Sequence, residues 1–158
     1  MEAKIRTAIP SDLDAVLSLL RELDEAHVVL EPSLLRPFSE PPRPSEWLLT
    51  RFSDPNEACF VAELDERVVG FVWSKSQSPP AIPAFIQQPL QIVGDVVVEA
   101  SLRGRGIGRA LVERALEWGR ARGLKQVQLT VFAQNGRARD FYERLGFRPL
   151  SVVLLKPL

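Results

Sequence analysis

The residues best equipped for chemistry lie in one run, Val96-Val97-Val98-Glu99-Ala100-Ser101-Leu102-Arg103-Gly104-Arg105-Gly106-Ile107-Gly108-Arg109. An apolar strand leads through a short turn into three alternating glycines and then a long helix. Glycine lets the backbone come close to a ligand, and a helix start presents unpaired N–H groups at the positive end of its dipole. The combination is an anion cradle, with Arg103, Arg105 and Arg109 adding charge around it. A turn with solvated arginines needs one glycine, not three, so the run points to a bound pyrophosphate.

Spacing narrows the choice of ligand. A Walker loop requires Gly-x-x-x-x-Gly-Lys-Ser/Thr, and no such lysine follows these glycines. A dinucleotide fold requires Gly-x-Gly-x-x-Gly and a carboxylate ending the next strand. Here the spacing is Gly-x-Gly-x-Gly, and Lys125 to Val131 holds no acidic residue. The run also sits two-thirds along the chain. Both nucleotide folds are excluded on spacing.

The flanking sequence sets the elements that must position this run. Ile5 to Ala8 reads as a first strand, and Pro10-Ser11-Asp12 opens a helix with Ser11 as N-cap. Leu13, Val16, Leu17, Leu20 and Leu23 give that helix a buried face as far as about His27. Five prolines make residues 31–44 a loop, and Ser45 to Phe52 a short second helix. Cys59–Leu64 and Val68–Trp73 form a hairpin across Asp65-Glu66-Arg67. Residues 75–90, with four prolines, are a long loop of the kind that binds or moves. Gln91–Val98 is the next strand, followed by a helix from about Gly106 to Arg122 that Gly123 stops. Lys125–Val131 is a strand, Gly136–Leu145 a helix ended by Gly146, and Ser151–Lys156 a last strand. The order β-α-α-β-β-β-α-β-α-β predicts a mixed sheet flanked by helices.

Bulk composition excludes several classes. The 158 residues suit one domain, 1–158, with a real core, and no apolar run approaches a membrane span. The first residues carry no apolar stretch of signal-peptide type. One cysteine, Cys59, rules out an internal disulfide framework, and one histidine, His27, rules out a Cys/His zinc site within the chain. The expectation is a cytoplasmic protein with no protein-bound metal. Net charge is zero, but residues 1–98 hold 8 Lys/Arg against 15 Asp/Glu, and residues 99–148 hold 11 against 5. The basic half suits an anionic ligand; without interleaved aromatics, nucleic acid is disfavoured.

The glycine run resembles the GNAT superfamily of N-acetyltransferases, whose signature is Arg/Gln-x-x-Gly-x-Gly/Ala between a strand and a helix. Arg103-Gly104-Arg105-Gly106-Ile107-Gly108 fits it in full. Ile5-Arg6-x-Ala8 with Asp12-Leu13 is similar to the family's opening, and Asn135-x-x-Ala138-x-x-Phe141-Tyr142-Glu143-x-Leu145-Gly146-Phe147 to its closing motif. The likeness spans roughly residues 4 to 150; one departure is Ala100, where many members carry proline. It implies an α/β (α+β) fold, GNAT-type, with a mixed, mostly antiparallel sheet of six to seven strands and about four helices.

The resemblance also implies acetyl-CoA (coenzyme A) as acyl donor and a primary amine, of a small molecule or a protein, as acceptor, attacking the thioester directly. Val97 and Val98 would offer backbone groups to the pantetheine arm where Gln91–Val98 parts from Lys125–Val131, often through a bulge. The N–H near Val98 would face the thioester carbonyl. Arg103, Gly104, Arg105, Gly106, Ile107, Gly108 and Arg109 would hold the pyrophosphate, and Asn135 the cofactor arm. Tyr142, the one tyrosine, would be the general acid, since a phenol of pKa about 10 and a thiol of about 8.5 can share a proton. Asp95 is the first candidate for the base and Glu99 the second, two carboxylates alternating on one strand face. His27 reads as structural and Cys59 as core. Residues 27–38 and 75–90 would set acceptor specificity, and the acidic N-terminal half favours a cationic amine. A homodimer is compatible with the resemblance. The competing class is a module that binds acyl-CoA without turnover.

Overall fold

Runs rich in β-branched and aromatic residues decide most of the sheet. The computed structural model describes residues 2–158. Strands β1 (Lys4–Thr7), β2 (Glu57–Leu64), β3 (Arg67–Gln77), β4 (Leu90–Val98) and β5 (Val127–Gln128) lie side by side in sequence order. β1 to β4 are antiparallel neighbours, and β4 pairs with β5 in parallel. Asp65 and Glu66 adopt left-handed φ of 50° and 61° in the two-residue β2–β3 turn, the conformation that matches strand twist.

Both faces of the sheet are covered, so β2 and β3 are nearly continuous apolar runs. Helix α1 (Leu13–Leu30) and α2 (Ser45–Ser53) cover one face, burying Val16, Leu19, Leu20 and Leu48 against Val61, Phe71 and Val97. Helix α3 (Ile107–Ala121) covers the other, burying Ile107, Leu111 and Ala115 against Phe60, Val72, Val93 and Val98. Buried Gln91 pins α3 to the sheet: its Nε2 donates to the Ala115 carbonyl (2.7 Å) and to Ser74 Oγ (2.8 Å). A Cβ at Gly119 would lie 2.1 Å from the same side chain, so the helix approaches there only as glycine.

Several sequence expectations are corrected. The entry to α1 is a 3₁₀ turn, Pro10–Asp12, and buried Asp12, not Ser11, organises it. Its carboxylate accepts the Ile9 N–H (2.9 Å) and two Arg6 N–H groups (2.7 and 2.9 Å). The sheet has five strands among the described residues, fewer than the six to seven expected. The run Lys125–Val131 contributes only Val127–Gln128, because β4 turns away after Ile92. Ser151–Lys156 forms no strand: it is exposed throughout, and an extended chain becomes a strand only where a neighbour completes its hydrogen bonds. Four α-helices are found among the described residues, the last being α4 (Gly136–Arg144).

Candidate active site

The site begins with a defect in the central pairing. Val72 pairs with Val96 and Ser74 with Val93, so Gly94 and Asp95 together oppose the single Trp73. This is a β-bulge, and it shifts the face on which each later residue emerges. Val93, Val96 and Val98 all pack toward α3, while Val97 turns to α1. Asp95 emerges on the α1 side with Val97. Gly94 is obligatory here, since a Cβ would sit 1.9 Å from the Trp73 ring.

The same region opens the sheet. β4 pairs with β5 only at Gln91–Val127 and Ile92–Gln128. Beyond that point no β4–β5 pair forms among the described residues, and Val93–Val98 borders a wedge between the diverging strands. An extended ligand that needs main-chain partners fits such an edge. Past β4 the chain makes a 3₁₀ turn, Ala100–Leu102, and enters the glycine run. Gly104 and Gly106 have φ of 78° and 84°, which side chains disfavour, and a Cβ at either would meet nothing within 4 Å. Gly106 is the N-cap of α3 and no side chain caps it, so the first-turn N–H groups face open space. An open cradle lined by amides suits a diphosphate. Gly108 is the second residue of α3, within its first turn, where a Cβ would touch Phe141 and Val98 at an ordinary 3.7 Å.

The three arginines divide. Arg103 folds back: its Nε donates to the Val98 carbonyl (2.9 Å) and its Nη2 to Glu22 on α1 (2.6 Å). That carbonyl is therefore already engaged within the protein. Arg109 pairs with Glu113 one turn on (2.7 Å), and both are exposed. Arg105 makes no ion pair or side-chain hydrogen bond among the described residues. It is the arginine most available to an anion.

α4 brings the closing residues to the wedge. Asn135 caps it, its Oδ1 accepting the Ala138 N–H (3.1 Å), which leaves the amide NH₂ uncommitted among the described residues. Tyr142 is half-buried, edge-on to Phe141 (5.0 Å) and Phe147 (5.7 Å), and its hydroxyl makes no hydrogen bond there. Burial, reinforced by the charge of Asp95, pushes the phenol up to about 12, so it keeps its proton at neutral pH.

The two strand carboxylates are held differently. Asp95 Oδ2 and Oδ1 accept Arg43 Nη1 (2.5 Å) and Nη2 (3.0 Å), and Arg43 also binds Asp24 on α1 (2.7 and 2.9 Å). Burial alone would lower Arg43, but the two carboxylates outweigh it and hold the guanidinium above its usual range. Half-buried His27 lies near this cluster, edge-on to Phe132 (5.3 Å). Burial lowers its pKa against the opposing charges of Asp24 and Asp95, so it is neutral at pH 7. Glu99 instead accepts Arg67 (2.7 Å) and Ser101 Oγ (2.7 Å), tying down the turn. Cys59 is buried, and burial pushes its thiol up to about 12, which leaves it inert.

Sequence reasoning missed Arg43, Asp24 and Glu22. One signal was available for Arg43: it is the one cation inside Pro41-Pro42-Arg43-Pro44, in a loop facing an acidic helix. Asp24 and Glu22 look like ordinary helix-surface charges until β4 is placed beside them.

The acetyltransferase (GNAT) family model matches residues 19–147. The chain belongs to this family. The match takes in the β4 bulge, the glycine cradle and α4. An uncharacterized N-acetyltransferase of Methanocaldococcus jannaschii is 35% identical over 108 residues, covering 68% of this chain and 45% of that protein. A mycothiol acetyltransferase of Acidothermus cellulolyticus is 34% identical over 139 residues, covering 79% of this chain and 41% of that protein. The chain thus spans less than half the length of these two relatives. Among solved structures, the tetramutant of a Bacillus halodurans protein superposes with a TM-score of 0.91 at 26% identity, covering 98% of this chain and 99% of that one. An aminoglycoside N-acetyltransferase in complex with CoA shares the fold (TM-score 0.73, 17% identity, 98% of each chain).

Proposed function

We propose that this GNAT domain is an acetyl-CoA-dependent N-acetyltransferase acting on a primary amine of a small molecule or a protein. The observation that carries the reading is the wedge between β4 and β5, which runs up to the uncapped start of α3 at Gly106–Gly108. A cofactor with an extended arm and a diphosphate needs that sequence of an exposed strand edge and an amide cradle. When bound, acetyl-CoA supplies a thioester whose carbonyl carbon accepts the amine and whose sulfur departs. The backbone N–H of Val98, with Val97 beside it, would align the arm, the Gly104–Gly108 amides with Arg105 and Arg109 would take the diphosphate, and the Asn135 amide would add a donor.

Two side chains are assigned to proton movement. The Tyr142 hydroxyl is protonated at neutral pH and free of internal partners, so it can donate to the departing sulfur. Asp95 would accept the amine proton, either through a water or once Arg43 yields an oxygen. Two carboxylates share one guanidinium in the Asp24–Arg43–Asp95 group, and a cleft of about 270 Å³ lined by Asp24, Val28, Leu35, Arg36, Phe38, Pro42 and Arg43 adjoins it. The acidic N-terminal half, with 15 Asp/Glu against 8 Lys/Arg over residues 1–98, favours a cationic acceptor such as a polyamine, a lysine or a protein N-terminus.

Thiol release from acetyl-CoA with a panel of amines tests the reading. Cationic amines should be turned over and acidic amino compounds of similar size should not. Coenzyme A binding without thiol release from any member would replace it with a non-catalytic acyl-CoA-binding module.

A further inference from the structure

The end of α1 presents one stripe of polar side chains. Asp24, His27 and the C-cap Glu31 recur at the i, i+3, i+7 spacing that places residues on one helix face. Each reaches a different part of the site. Asp24 meets Arg43 of the proline-rich loop (2.7 and 2.9 Å), and Arg43 holds Asp95 on β4. Glu31 accepts Gln134 Nε2 (3.0 Å), and His27 packs edge-on to Phe132, both partners lying in the segment that joins β5 to α4. The Asn135 N–H turns that segment by donating to the Phe132 carbonyl (2.9 Å). α1 thus links the β4 side of the wedge to its β5 side, with His27 between the two links.

The imidazole is the group of this cluster that stays open. Asp95 has both oxygens on Arg43, and Asp24 shares the same guanidinium. Neither ring nitrogen of His27 makes a hydrogen bond among the described residues, and neither is sealed from solvent. Asp24 and Val28, its neighbours on α1, line the acceptor cleft. The charges acting on it are Asp24 from its own helix, Asp95 from the sheet and Arg43 from the loop, while the β5–α4 segment turns the uncharged Phe132 ring to it. Burial outweighs the two carboxylates and lowers the imidazole, so at neutral pH it has a lone pair to offer. A neutral, wetted imidazole beside carboxylates is suited to carrying protons.

We propose, on the basis of the acyl-transfer reading, that His27 is the residue through which the acceptor's proton leaves the site. A cationic amine must lose one proton before its nitrogen attacks. The N–H bond breaks, the electron pair stays on nitrogen, and the proton goes to Asp95. A protonated carboxyl has lost the charge that binds Arg43 most strongly, so Asp95 regains its partner by passing the proton on. It goes through water to a ring nitrogen of His27. The imidazolium, stabilised by Asp24 and Asp95, releases it to solvent and is neutral again for the next turnover. His27 acts through Asp95, as a carrier and not as the base itself.

His27 is the one histidine of the chain, so proton NMR of the untagged protein follows a single titrating imidazole. Without any ligand it should titrate below the usual midpoint of about 6.5. Asp95→Asn should move the midpoint lower still, because a charge that favours the imidazolium is gone. His27→Gln, with circular dichroism confirming the fold, should lower kcat/KM by about 10²-fold at pH 7, the low end for proton transfer. That deficit should shrink toward the amine's own pKa, and added imidazole should restore part of the rate, which a packing defect would not allow. A midpoint unmoved by Asp95→Asn overturns the proposal. So does a His27→Gln variant with the wild-type rate, or one whose deficit is constant with pH and indifferent to imidazole. Absence of thiol release from the wild type would overturn the acyl-transfer reading and this proposal with it, whereas an active wild type beside an unimpaired His27→Gln overturns the proposal alone.

Discussion

Arg43 reaches across from the proline-rich loop to grip Asp95 on the β4 bulge with both terminal nitrogens, at 2.5 and 3.0 Å. The residue proposed as base is therefore also the anchor of the loop that borders the acceptor cleft. If Asp95 takes the amine proton, Asp95→Asn should lower kcat/KM most at neutral pH. The deficit should shrink as pH approaches the amine's own pKa near about 10, where the substrate arrives already deprotonated. Glu99→Gln should lack this pattern, because Glu99 is spent on Arg67 and Ser101. Parallel pH profiles for Asp95→Asn and the wild type would assign Asp95 to anchoring alone.

Arg43→Ala removes the shared partner of two mostly buried carboxylates. Leaving charged groups without their hydrogen bonds should destabilise the fold by about 1–3 kcal/mol. The denaturation midpoint checks this. Arg43→Lys should recover only part of the loss, since a single ammonium cannot reproduce the fork that spans Asp24 and Asp95.

Coenzyme A should raise the melting temperature by mass action. Gly106→Val should abolish most of that rise, because φ of 84° excludes a β-branched residue and the added side chain would fill the open cradle. Gly108→Ala is the informative contrast: its Cβ meets Phe141 and Val98 at 3.7 Å, so the fold should be unaffected. An undiminished shift in Gly106→Val would remove the diphosphate from this turn.

Tyr142→Phe should preserve the ring packing against Phe141 and Phe147 and leave coenzyme A binding nearly intact. Turnover should fall by about 10–10⁴-fold, the range for loss of a general acid. Because the phenol is raised to about 12, the wild-type rate should show no alkaline decline attributable to Tyr142 below about pH 10. The sign for stability agrees. A raised phenol contributes stability that is complete below its unfolded value of about 10 and is lost as pH climbs toward 12. A wild-type rate in the variant would move protonation to water.

The parts of the site that the sequence exposed were those set by local chemistry. The Gly104–Gly106–Gly108 spacing announced a cradle because glycine alone takes positive φ freely, as Gly104 and Gly106 do, and lets the backbone approach a ligand closely. Asn135 and Gly146 marked the ends of α4 for similar reasons. What stayed hidden depends on partners distant in sequence. Arg43 meets Asp95 across 52 positions and Arg103 meets Glu22 across 81, and no periodicity carries such information. The C-terminal run failed as a strand for the same cause: Ser151–Lys156 has the right side chains, but pairing is decided by whether an edge lies alongside.

The bulge allows the sharpest separation of fold from function. Gly94 and Asp95 oppose Trp73, and the indole covers Gly94 so closely that an added Cβ would fall 1.9 Å from the ring. Gly94→Ala must therefore displace Trp73 or straighten β4. Displacing the indole would disturb its stacking with Arg51 at 4.3 Å and cost about 1–3 kcal/mol, the usual penalty of overpacking. Straightening β4 would move Asp95 off the α1 face and away from Arg43. If β4 straightens, activity should fall further than the melting temperature implies, because Asp95 loses its placement. Coenzyme A binding should persist, since the glycine cradle lies beyond the end of β4. The measurement is kcat/KM beside the coenzyme A thermal shift for the same variant. Equal losses in both would mean that the bulge serves the cofactor wedge as a whole and not the position of Asp95.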